Sequence, residues 1–426
     1  MTRAEEDRSS GFARLAGIAG LLILLVAATA AQAQTLTVLH AFTGGADGAN
    51  PAAGLTMDSG GRLYGTAEAG AEGFGTVFKI ARSGSSWTFA PLYVFTGGTD
   101  GGSPAAAVTF GPDGVIYGTA QYGGNLSACH EPFWTGCGVV FELRPSSTPP
   151  RTVFGAWNET VIFQFNFTDG ALPASEVLFD AAGNLYGTTI GGGSVEDGRQ
   201  PGSGEDCDYH CGVVYELSKV NGSWDQTAVY LFTEDSGSNP YAGLVFDHQG
   251  NLYGAASFTG PAGYGSIFEL TPSGSGFGER LVHAFSSGDG GPVYSTLVMD
   301  AAGNLYGANP GSQNRYDGTV FSISSSHGFS TIYTFGEGQG PYGGLTMAAA
   351  GNLYGTTPVG GANNFGSVFK LTPSNGGWIY STIHDFVSTD GCQSTARVLL
   401  DASGNLYGTS SNCGANGYGT VWEITP

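Results

Sequence analysis

Seven copies of one short segment recur along this 426-residue chain, and they limit the possible folds more than any other feature. The segment reads DAAGNLYGTT at 180–189 and returns as DHQGNLYGAA, DAAGNLYGAN, AAAGNLYGTT and DASGNLYGTS, after two diverged copies, DSGGRLYGTA and GPDGVIYGTA. The repeated tyrosines lie 48 to 69 residues apart, at Tyr64, Tyr117, Tyr186, Tyr253, Tyr306, Tyr354 and Tyr407. This period is too long for leucine-rich or ankyrin units and is typical of a four-stranded propeller blade.

Each unit divides into four strands, named a to d. Strand a is a short apolar run such as AGLVFD, strand b is NLYGT, and Asp-x-x-Gly-Asn between them supplies tight-turn chemistry. Strand c alternates apolar and polar residues, as at Phe268 and Leu270. Strand d ends in a phenylalanine, assigned here to Phe95, Phe167, Phe232, Phe285, Phe335 and Phe386.

The chain ends after the seventh strand c, whereas TLTVLHAF at 35–42 is a strand d without preceding strands. Pairing of 35–42 with 419–426 would close a ring and remove the free sheet edge. We therefore predict an all-β, seven-bladed β-propeller of four-stranded blades, closed by its N-terminal strand and almost without helix. The predicted blades are 51–95, 103–167, 172–232, 240–285, 292–335, 341–386, and 393–426 with 35–42.

Residues 1–33 resemble an export signal. Three arginines precede an apolar run over 15–30, which ends in Ala31-Gln32-Ala33, a small-x-small cleavage site. The run is shorter than the roughly 20 residues of a membrane-spanning helix. We predict a signal peptide at 1–33, a single propeller domain at 34–426 and a secreted or periplasmic protein without a membrane span after cleavage. An uncleaved anchor is the alternative.

The charge balance excludes two classes of partner. Lys and Arg total 14 against 35 Asp and Glu, so the formal net charge is −21. Nucleic acids and anionic membranes both require a basic surface, so neither is an expected partner.

Six cysteines fall as neighbours, and an oxidising compartment favours disulfides between them. The predicted pairs are Cys129 with Cys137, Cys207 with Cys211, and Cys392 with Cys413. A metal site is the alternative, because Cys-His-Glu at 129–131 and DCDYHC at 206–211 contain metal-ligating residue types.

The repeat resembles the GloVer (Gloeobacter/Verrucomicrobia repeat) family of secreted bacterial proteins. The seven copies of G-N-L-Y-G-T and the downstream G-x-V-F-x-L carry this resemblance over about 37–426. It implies a secreted repeat propeller and no particular activity. A weaker likeness to kelch propellers comes from Gly360-Gly361 after strand b and from the strand d tryptophans Trp87, Trp224 and Trp378. Since some kelch-type propellers are enzymes, this likeness keeps an enzyme hypothesis open.

In a propeller, the d-to-a and b-to-c loops share one face. The b-to-c loops at 119–137 and 188–211 break the repeat, which makes that face the better functional candidate. Its candidate catalytic residues are His130, Glu131, His210 and Asp208, with polar loop residues beside a disulfide as the alternative. Its candidate ligand-binding aromatics are Tyr122, Phe133, Trp134 and Tyr209, which could stack on sugars or cover the blade beneath them. Three other histidines fall in an aromatic packing position of strand d, at His40, His283 and His384.

The d-to-a loops repeat an Asp-Gly pair at Asp47, Asp100, Asp169, Asp289 and Asp390. Asp-Gly is ordinary turn chemistry, and the alternative is an acidic rim that binds Ca²⁺. We expect no other cofactor.

The leading hypothesis is a monomeric binding scaffold for a carbohydrate or protein ligand at the cell surface, acting through the insertion-bearing face. The alternative is an extracytoplasmic carbohydrate-active enzyme, a lyase or hydrolase, that uses the same face. A purely structural protein, without a pocket of drug-like volume, is a third hypothesis.

Overall fold

A computed structural model describes residues 34–70, 73–131, 134–146, 157–193, 211–274, 276–311, 317–337 and 339–426. For His130, Glu131, Trp134 and Glu337 only the backbone is described. The regular structure of these residues is entirely β, with seven four-stranded sheets and one two-stranded hairpin. The predicted seven-bladed β-propeller is therefore confirmed.

The N-terminal half of the ring contains three blades in chain order. The first strand of the described chain is β1 (Thr35–Ala41). Blade 1 consists of β2 (Thr56–Met57), β3 (Leu63–Ala67), β4 (Thr76–Ser83) and β5 (Ser86–Val94). Blade 2 consists of β6 (Thr109–Phe110), β7 (Ile116–Ala120), the inserted hairpin β8 (His130–Glu131) and β9 (Trp134–Thr135), β10 (Val139–Pro145) and β11 (Trp157–Gln164). Blade 3 consists of β12 (Leu178–Phe179), β13 (Leu185–Thr189), β14 (Val213–Val220) and β15 (Ser223–Leu231).

Four further blades complete the ring. Blade 4 consists of β16 (Val245–Phe246), β17 (Leu252–Ala256), β18 (Ser266–Ser273) and β19 (Gly276–Ala284). Blade 5 consists of β20 (Val298–Met299), β21 (Leu305–Asn309), β22 (Asp317–Ile323) and β23 (Phe329–Glu337). Blade 6 consists of β24 (Thr346–Met347), β25 (Leu353–Thr357), β26 (Ser367–Ser374) and β27 (Gly377–Asp385). Blade 7 consists of β28 (Leu399–Leu400), β29 (Leu406–Ser410) and β30 (Thr420–Thr425), with β1 as its strand d.

The ring closes between the two ends of the described chain. Strand β1 pairs antiparallel with β30, with Thr35 opposite Thr425 and Ala41 opposite Thr420. This pairing confirms the predicted closure and supplies blade 7 with its missing outer strand.

The repeated turn is built by its aspartate and asparagine. In blade 5, Asp300 Oδ1 accepts hydrogen bonds from the main-chain N–H groups of Ala302 and Asn304, both at 2.9 Å. Its Oδ2 accepts from Asn304 Nδ2 at 2.8 Å and from the Tyr306 hydroxyl at 3.1 Å. The intervening Gly303 has a φ of +80°, a conformation that favours glycine. Local hydrogen bonding therefore explains the Asp-x-x-Gly-Asn pattern.

The second glycine of the motif has a packing role. A Cβ on Gly355 would lie 2.5 Å from Phe369 Cζ, so the ring of strand c crosses directly over the glycine of strand b. In blade 7 the same close approach brings the larger Trp422 over Gly408. Only glycine leaves room for these rings, which are completely buried.

Motif threonines join neighbouring blades. Thr66 Oγ1 donates to Ala106 O at 2.9 Å, and Thr409 Oγ1 donates to Ala53 O at 2.8 Å. These acceptor carbonyls belong to the segments that precede strand a. Strand a is accordingly shorter than predicted, two residues in each blade, because the preceding carbonyls bond to a neighbouring blade instead of to strand b.

The hydrophobic core is divided among the seven blade interfaces. Each interface has its own cluster of buried side chains from two adjacent blades. Between blades 1 and 2, for example, Tyr64 and Val77 pack with Val108 and Phe141. Each blade therefore depends on its neighbours for burial.

In blade 2 the phenylalanine predicted to end strand d is wrong. The buried phenylalanine that ends strand d is Phe165, whose N–H donates to Gly138 O as Phe95 N–H does to Gly75 O. Phe167, predicted for this role, lies two residues further on in the loop, with a φ of +77°. The sequence FQFNF offers three phenylalanines in alternation, and only the sheet register distinguishes them.

Disulfides link loops on one face of the ring. Cys129 is bonded to Cys137 and Cys392 to Cys413, as predicted. Cys211 is also disulfide-bonded, and its predicted partner, Cys207, lies outside the described residues. No helix within the described ranges is long and apolar enough to cross a membrane. The two disulfides fit an extracytoplasmic protein.

Candidate functional site

Main-chain hydrogen bonds show which loops share a face. Gly102 N–H donates to Tyr122 O and Tyr122 N–H to Gly102 O, both at 3.0 Å, which joins the d-to-a and b-to-c loops of blade 2. The same bridge forms between Ser238 and Phe258 in blade 4. We call this side the mouth face. The side bearing the a-to-b and c-to-d turns is called the turn face.

The mouth face surrounds a narrow axial cavity. Two or three residues before strand a of each blade contribute to its wall, and the cavity holds about 130 Å³. Ligand pockets usually hold about 300 Å³ or more, so a sugar-sized ligand is expected to lie across the opening rather than inside the channel.

An ion pair crosses this channel. Arg397 Nη2 of blade 7 lies 3.0 Å from Glu176 Oε2 of blade 3, and both side chains are partly exposed. A Cβ on Gly243 would lie 3.1 Å from Glu176 Cγ, so the glycine leaves space for the glutamate. The pair spans the axis and neutralises both charges below the opening.

One position differs between the two halves of the opening. In blades 4, 5 and 6 the residue four positions before the start of strand a is a tyrosine: Tyr241, Tyr294 and Tyr342. The other four blades carry small residues there: Ala52, Ala105, Ala174 and Thr395. The opening therefore has an aromatic half and a small-residue half.

The three tyrosines form one continuous surface with Phe258, which we call the tyrosine arc. The Tyr294 ring lies 5.8 Å from Tyr342 in a stacked arrangement and 5.5 Å from Tyr241 edge to face. Phe258 contacts Tyr294 at 5.9 Å. Tyr342 is 46% exposed and Phe258 is 37% exposed, so the arc presents ring surface to solvent.

Two tyrosines of the arc, Tyr294 and Tyr241, are neutral hydrogen-bond donors. Burial, with smaller contributions from Tyr342 and Tyr241, raises the pKa of Tyr294 to about 12. Burial also raises the pKa of Tyr241 above its usual value. At neutral pH each hydroxyl keeps its proton and presents both a donor and an acceptor.

Tyr122 belongs to the b-to-c loop of blade 2 on the mouth face. Its side chain is half-buried, and its pKa is raised by burial and then by the charges of Glu68 and Tyr241. Of the predicted ligand-binding aromatics, Tyr122 is the one whose side chain is described.

The other predicted site residues fall where the structure describes little. His130 and Glu131 form β8, Trp134 lies in β9, and only their backbone is described. Phe133, Asp208, Tyr209 and His210 lie outside the described residues. The proposed catalytic pairing of these residues therefore stays a prediction.

The loop aspartates have a local role. Asp47 Oδ2 accepts hydrogen bonds from the Thr43 N–H at 2.9 Å and from His40 Nε2 at 3.0 Å. Asp390 likewise accepts from Val387 N–H and from His384 Nε2. The repeated Asp-Gly thus caps its own loop. The residues described in the structure contain no group of three or more metal-ligating side chains, and a calcium role for the aspartates stays a prediction.

The strand d histidines pack as predicted. The His40 ring stacks on Phe89 at 3.9 Å, and the His283 ring stacks on Phe329 at 4.2 Å. These contacts hold adjacent blades together.

Two larger cavities lie on the turn face, in grooves between blades. The first, of about 580 Å³, lies between blades 1 and 2 beside Tyr64 and Trp157. The second, of about 340 Å³, lies between blades 4 and 5 beside Tyr253 and His327. The purely structural hypothesis predicts no pocket of this size. However, both cavities are lined mainly by the repeated turn and its packing tyrosine, whose roles are already explained by folding.

The fold and its repeat define a class: a seven-bladed propeller assembled from copies of one unit. More narrowly, the chain belongs to the Gloeobacter/Verrucomicrobia repeat family, whose model matches residues 25–201, 135–339 and 202–422. None of the curated proteins compared with the chain matches it.

Several solved structures are similar at low identity. A candidate 6-phosphogluconolactonase from Bacteroides uniformis is 15% identical, with 82% of this chain and 89% of that one covered and a TM-score of 0.48. A candidate glucose dehydrogenase from Thermus thermophilus is 14% identical, with 92% of this chain and 100% of that one covered and a TM-score of 0.43. A candidate gluconolactonase is 12% identical, with 92% of each chain covered and a TM-score of 0.42. Similarity at this level carries no argument about activity.

Proposed function

We propose that this protein is an extracytoplasmic binding propeller that holds a carbohydrate across the opening of its mouth face. The observation that carries the proposal is the tyrosine arc, a continuous and partly exposed aromatic surface contributed by three consecutive blades. Tyrosine offers a large, rigid ring face together with a polar hydroxyl, at a low cost in conformational entropy. This combination suits the apolar faces and equatorial hydroxyls of sugar rings.

The rest of the opening supports binding across the surface. The channel below is narrow and is crossed by the Glu176–Arg397 ion pair, so a ligand meets a closed floor. Opposite the arc, Ala52, Ala105 and Ala174 leave space beside the rings. Disulfides pin loops around this opening, which reduces the entropy lost when a ligand binds.

The test is a comparison of wild type with the triple variant Tyr241→Ala/Tyr294→Ala/Tyr342→Ala on a panel of immobilised polysaccharides. We expect wild type to bind at least one neutral polymer and the triple variant to bind it at least about 100-fold more weakly, since tyrosines at binding sites contribute about 1–2 kcal/mol each, or about 3–6 kcal/mol together. Tyr418→Ala is the matched control. Tyr418 is also 46% exposed on the mouth face, but its ring lies against Gly44 and does not line the channel. Equal binding by wild type and the triple variant, or no binding to any polymer, would overturn the proposal.

The same assay separates binding from catalysis. Glycoside hydrolysis usually needs two carboxyl groups that flank the scissile bond. Among the residues that line the described channel, the acid is Glu176, and it is engaged by Arg397. Release of oligosaccharides by wild type would favour the lyase or hydrolase alternative.

A further inference from the structure

Most blade interfaces contain the same pair of aromatic rings near the turn face. Trp378 in strand d of blade 6 lies 6.1 Å from Tyr306 of blade 5, with the two rings edge to face. Three further interfaces form the equivalent pair at 6.2–6.4 Å: Trp87 with Tyr407, Trp224 with Tyr117, and Phe277 with Tyr186. We call the strand d member of each pair the outer ring. It covers the motif tyrosine of the preceding blade.

Blade 5 has no outer ring, because its hairpin is short. In blade 6 the outer ring Trp378 pairs with Pro373, four residues after the buried ring of strand c. In blade 5 the residue four after the buried ring is Ser325, but the pairing of β22 with β23 already ends at Ile323 and Phe329. Ser325 therefore lies in the turn, and the described hairpin of blade 5 places no ring at this position.

The turn-face cavity of about 340 Å³ between blades 4 and 5 lies at this interface, beside Tyr253. Its apolar lining consists of Tyr253, Met299, Leu305 and Ile323, of which the last two are almost completely buried. Polar groups of the surrounding turns, including the His327 imidazole, complete the lining. The volume falls within the range of ligand pockets, and an apolar lining with a few polar groups is their usual composition.

Charges beside the cavity are neutralised within the protein. Asp247 accepts three hydrogen bonds of 2.8 Å from its own turn. Arg280 is paired with Glu269, and its Nη2 lies 2.9 Å from Nε2 of His327. Arg315, the one charged residue of blades 4 and 5 outside the described residues, falls between strands b and c, whose loops lie on the mouth face. This distribution favours an uncharged ligand over an ion.

Two other interfaces show why this cavity is singled out. The larger turn-face cavity between blades 1 and 2 is lined by a ring of its own, Trp157, at the outer-ring position. At the interface of blades 6 and 7, where β1 begins without an aromatic residue, Lys370 Nζ lies 5.8 Å from the centre of the Tyr354 ring. Only between blades 4 and 5 does a described cavity coincide with an interface that lacks the outer ring.

We propose that the cavity between blades 4 and 5 binds a small uncharged aromatic ring such as indole, in the position that an outer ring holds at the other interfaces. The bound ring packs edge to face on Tyr253 and covers Met299 and Ile323. Edge-to-face pairs add stabilisation beyond the apolar area that they bury, so an aromatic ring is preferred to an aliphatic ring of similar size. This site lies on the opposite face from the tyrosine arc and goes beyond the proposed carbohydrate binding.

The experiment is a ligand-observed NMR titration with indole. Wild type, Ser325→Trp and Ser326→Trp are compared. Ser325 lines the cavity, whereas Ser326 is the next residue of the same turn, is exposed and does not line it. We expect wild type to bind about one indole with a dissociation constant of about 1 mM, and cyclohexanol about fivefold more weakly. Ser325→Trp places a ring of the protein in the cavity and should weaken indole binding at least about tenfold. Ser326→Trp should bind as wild type does.

A gain of binding provides the second measurement. Trp378→Ala removes the outer ring of blade 6 and should create an equivalent cavity beside Tyr306, so that about two indoles bind per chain. An unchanged stoichiometry in a folded Trp378→Ala variant would contradict the assignment of the cavity to the missing ring.

Three other results would overturn the inference: no saturable binding of indole by wild type, equal affinity for cyclohexanol, or undiminished binding in Ser325→Trp. The tyrosine triple variant separates the two faces of the ring and should bind indole as wild type does. Loss of indole binding in that variant would assign the indole to the tyrosine arc and overturn the turn-face site. Carbohydrate binding is measured separately, so either site can fail without the other.

Discussion

The two faces of the ring are built from the same seven repeats, yet they differ in how similar the residues at equivalent positions are. On the turn face, Asp180, Asp247, Asp300 and Asp401 make the same three hydrogen bonds to their own turns, each within 2.8–2.9 Å. On the mouth face, equivalent positions hold alanine, threonine or tyrosine. Turn residues are determined by folding within each repeat, whereas the ring does not require any particular side chain at the opening.

The faces also differ in what stabilises them. Hydrogen-bonded turns repeat around the turn face, while disulfides join irregular loops on the mouth face. This difference leads to five expectations, ordered by the size of the effect.

Removal of the mouth-face disulfide in blade 7 should have the largest effect. The pair Cys392 and Cys413 closes a loop with a sequence separation of 21, so the variant Cys392→Ser/Cys413→Ser should lose about 3 kcal/mol of unfolding free energy. Cys129→Ser/Cys137→Ser, with a separation of 8, should lose slightly less, about 2.5 kcal/mol. Urea denaturation measures both, and a larger loss for the shorter loop would contradict the expectation.

On the turn face, Asp300→Ala should cost about 2.5 kcal/mol, because it removes an acceptor of four hydrogen bonds. Burial alone would raise the pKa of Asp300, but the hydrogen bonds from Asn304, Tyr306 and Ala302 lower it below its usual value. The stabilising contribution is therefore present above about pH 4 and is lost as the pH falls through the folded pKa. Urea denaturation at several pH values should show wild type and variant converging in acid. A constant difference would contradict this account.

Blade 6 offers the reverse experiment. It carries Ala348 where five other blades carry the turn aspartate, and its turn keeps Gly351 and Asn352. Ala348→Asp should therefore stabilise the protein by about 1.5 kcal/mol in thermal or urea unfolding. Ala348→Asn is a control that supplies a weaker, uncharged acceptor. No gain from either variant would show that the turn hydrogen bonds do not limit stability.

Glu159 lies on strand d of blade 2, at the interface with blade 1. At the equivalent position other blade pairs stack two aromatic rings, as His40 stacks on Phe89 between blades 7 and 1. Burial, followed by the charge of Asp100, raises the pKa of Glu159 to about 7. The contribution of Glu159 to the free energy of unfolding should therefore be most favourable below about pH 4.5. It should be lost as the pH rises through 7. Glu159→Gln should gain about 1 kcal/mol near pH 8, after allowance for solvent screening, and nothing near pH 4. Glu234→Gln, which removes an exposed acid of the mouth face, is the charge-matched control.

The smallest stability effect is expected at the opening itself. Tyr342→Ala should cost only about 0.5 kcal/mol, because nearly half of the side chain is already exposed. Its ligand affinity should fall much more than its melting temperature, as thermal unfolding and polysaccharide binding measured together would show. A large stability loss would mean that the tyrosine arc serves the ring rather than a ligand.

Much of the fold was predictable because its determinants are local. Asp-x-x-Gly-Asn forms its turn within five residues, and the spacing of Tyr253 and Tyr306 marks one blade. The blade 2 register was not predictable in this way, since Phe163, Phe165 and Phe167 satisfy the same alternation. Pairing of β10 with β11, which contains a register shift, decides which phenylalanine is buried.

The opening was only partly predictable. The choice of face followed from the long loops, and Tyr122 was identified on it, but Tyr241, Tyr294 and Tyr342 were missed. A signal was present: alanine follows the proline before strand a in blades 1 to 3, and tyrosine follows it in blades 4 and 6. Without the structure, these tyrosines look like ordinary apolar residues of a strand.

By itself, the sequence determined the number of blades and their turns, because these depend on contacts between residues close together in each repeat. It also determined the closing strand, because the seventh repeat lacks a strand d and residues 35–42 supply one. The tertiary structure alone decided which side chains meet at the opening. Glu176 and Arg397, for example, come from blades 3 and 7. Such neighbours arise from ring closure, which places distant repeats around one axis and leaves no trace in the local pattern.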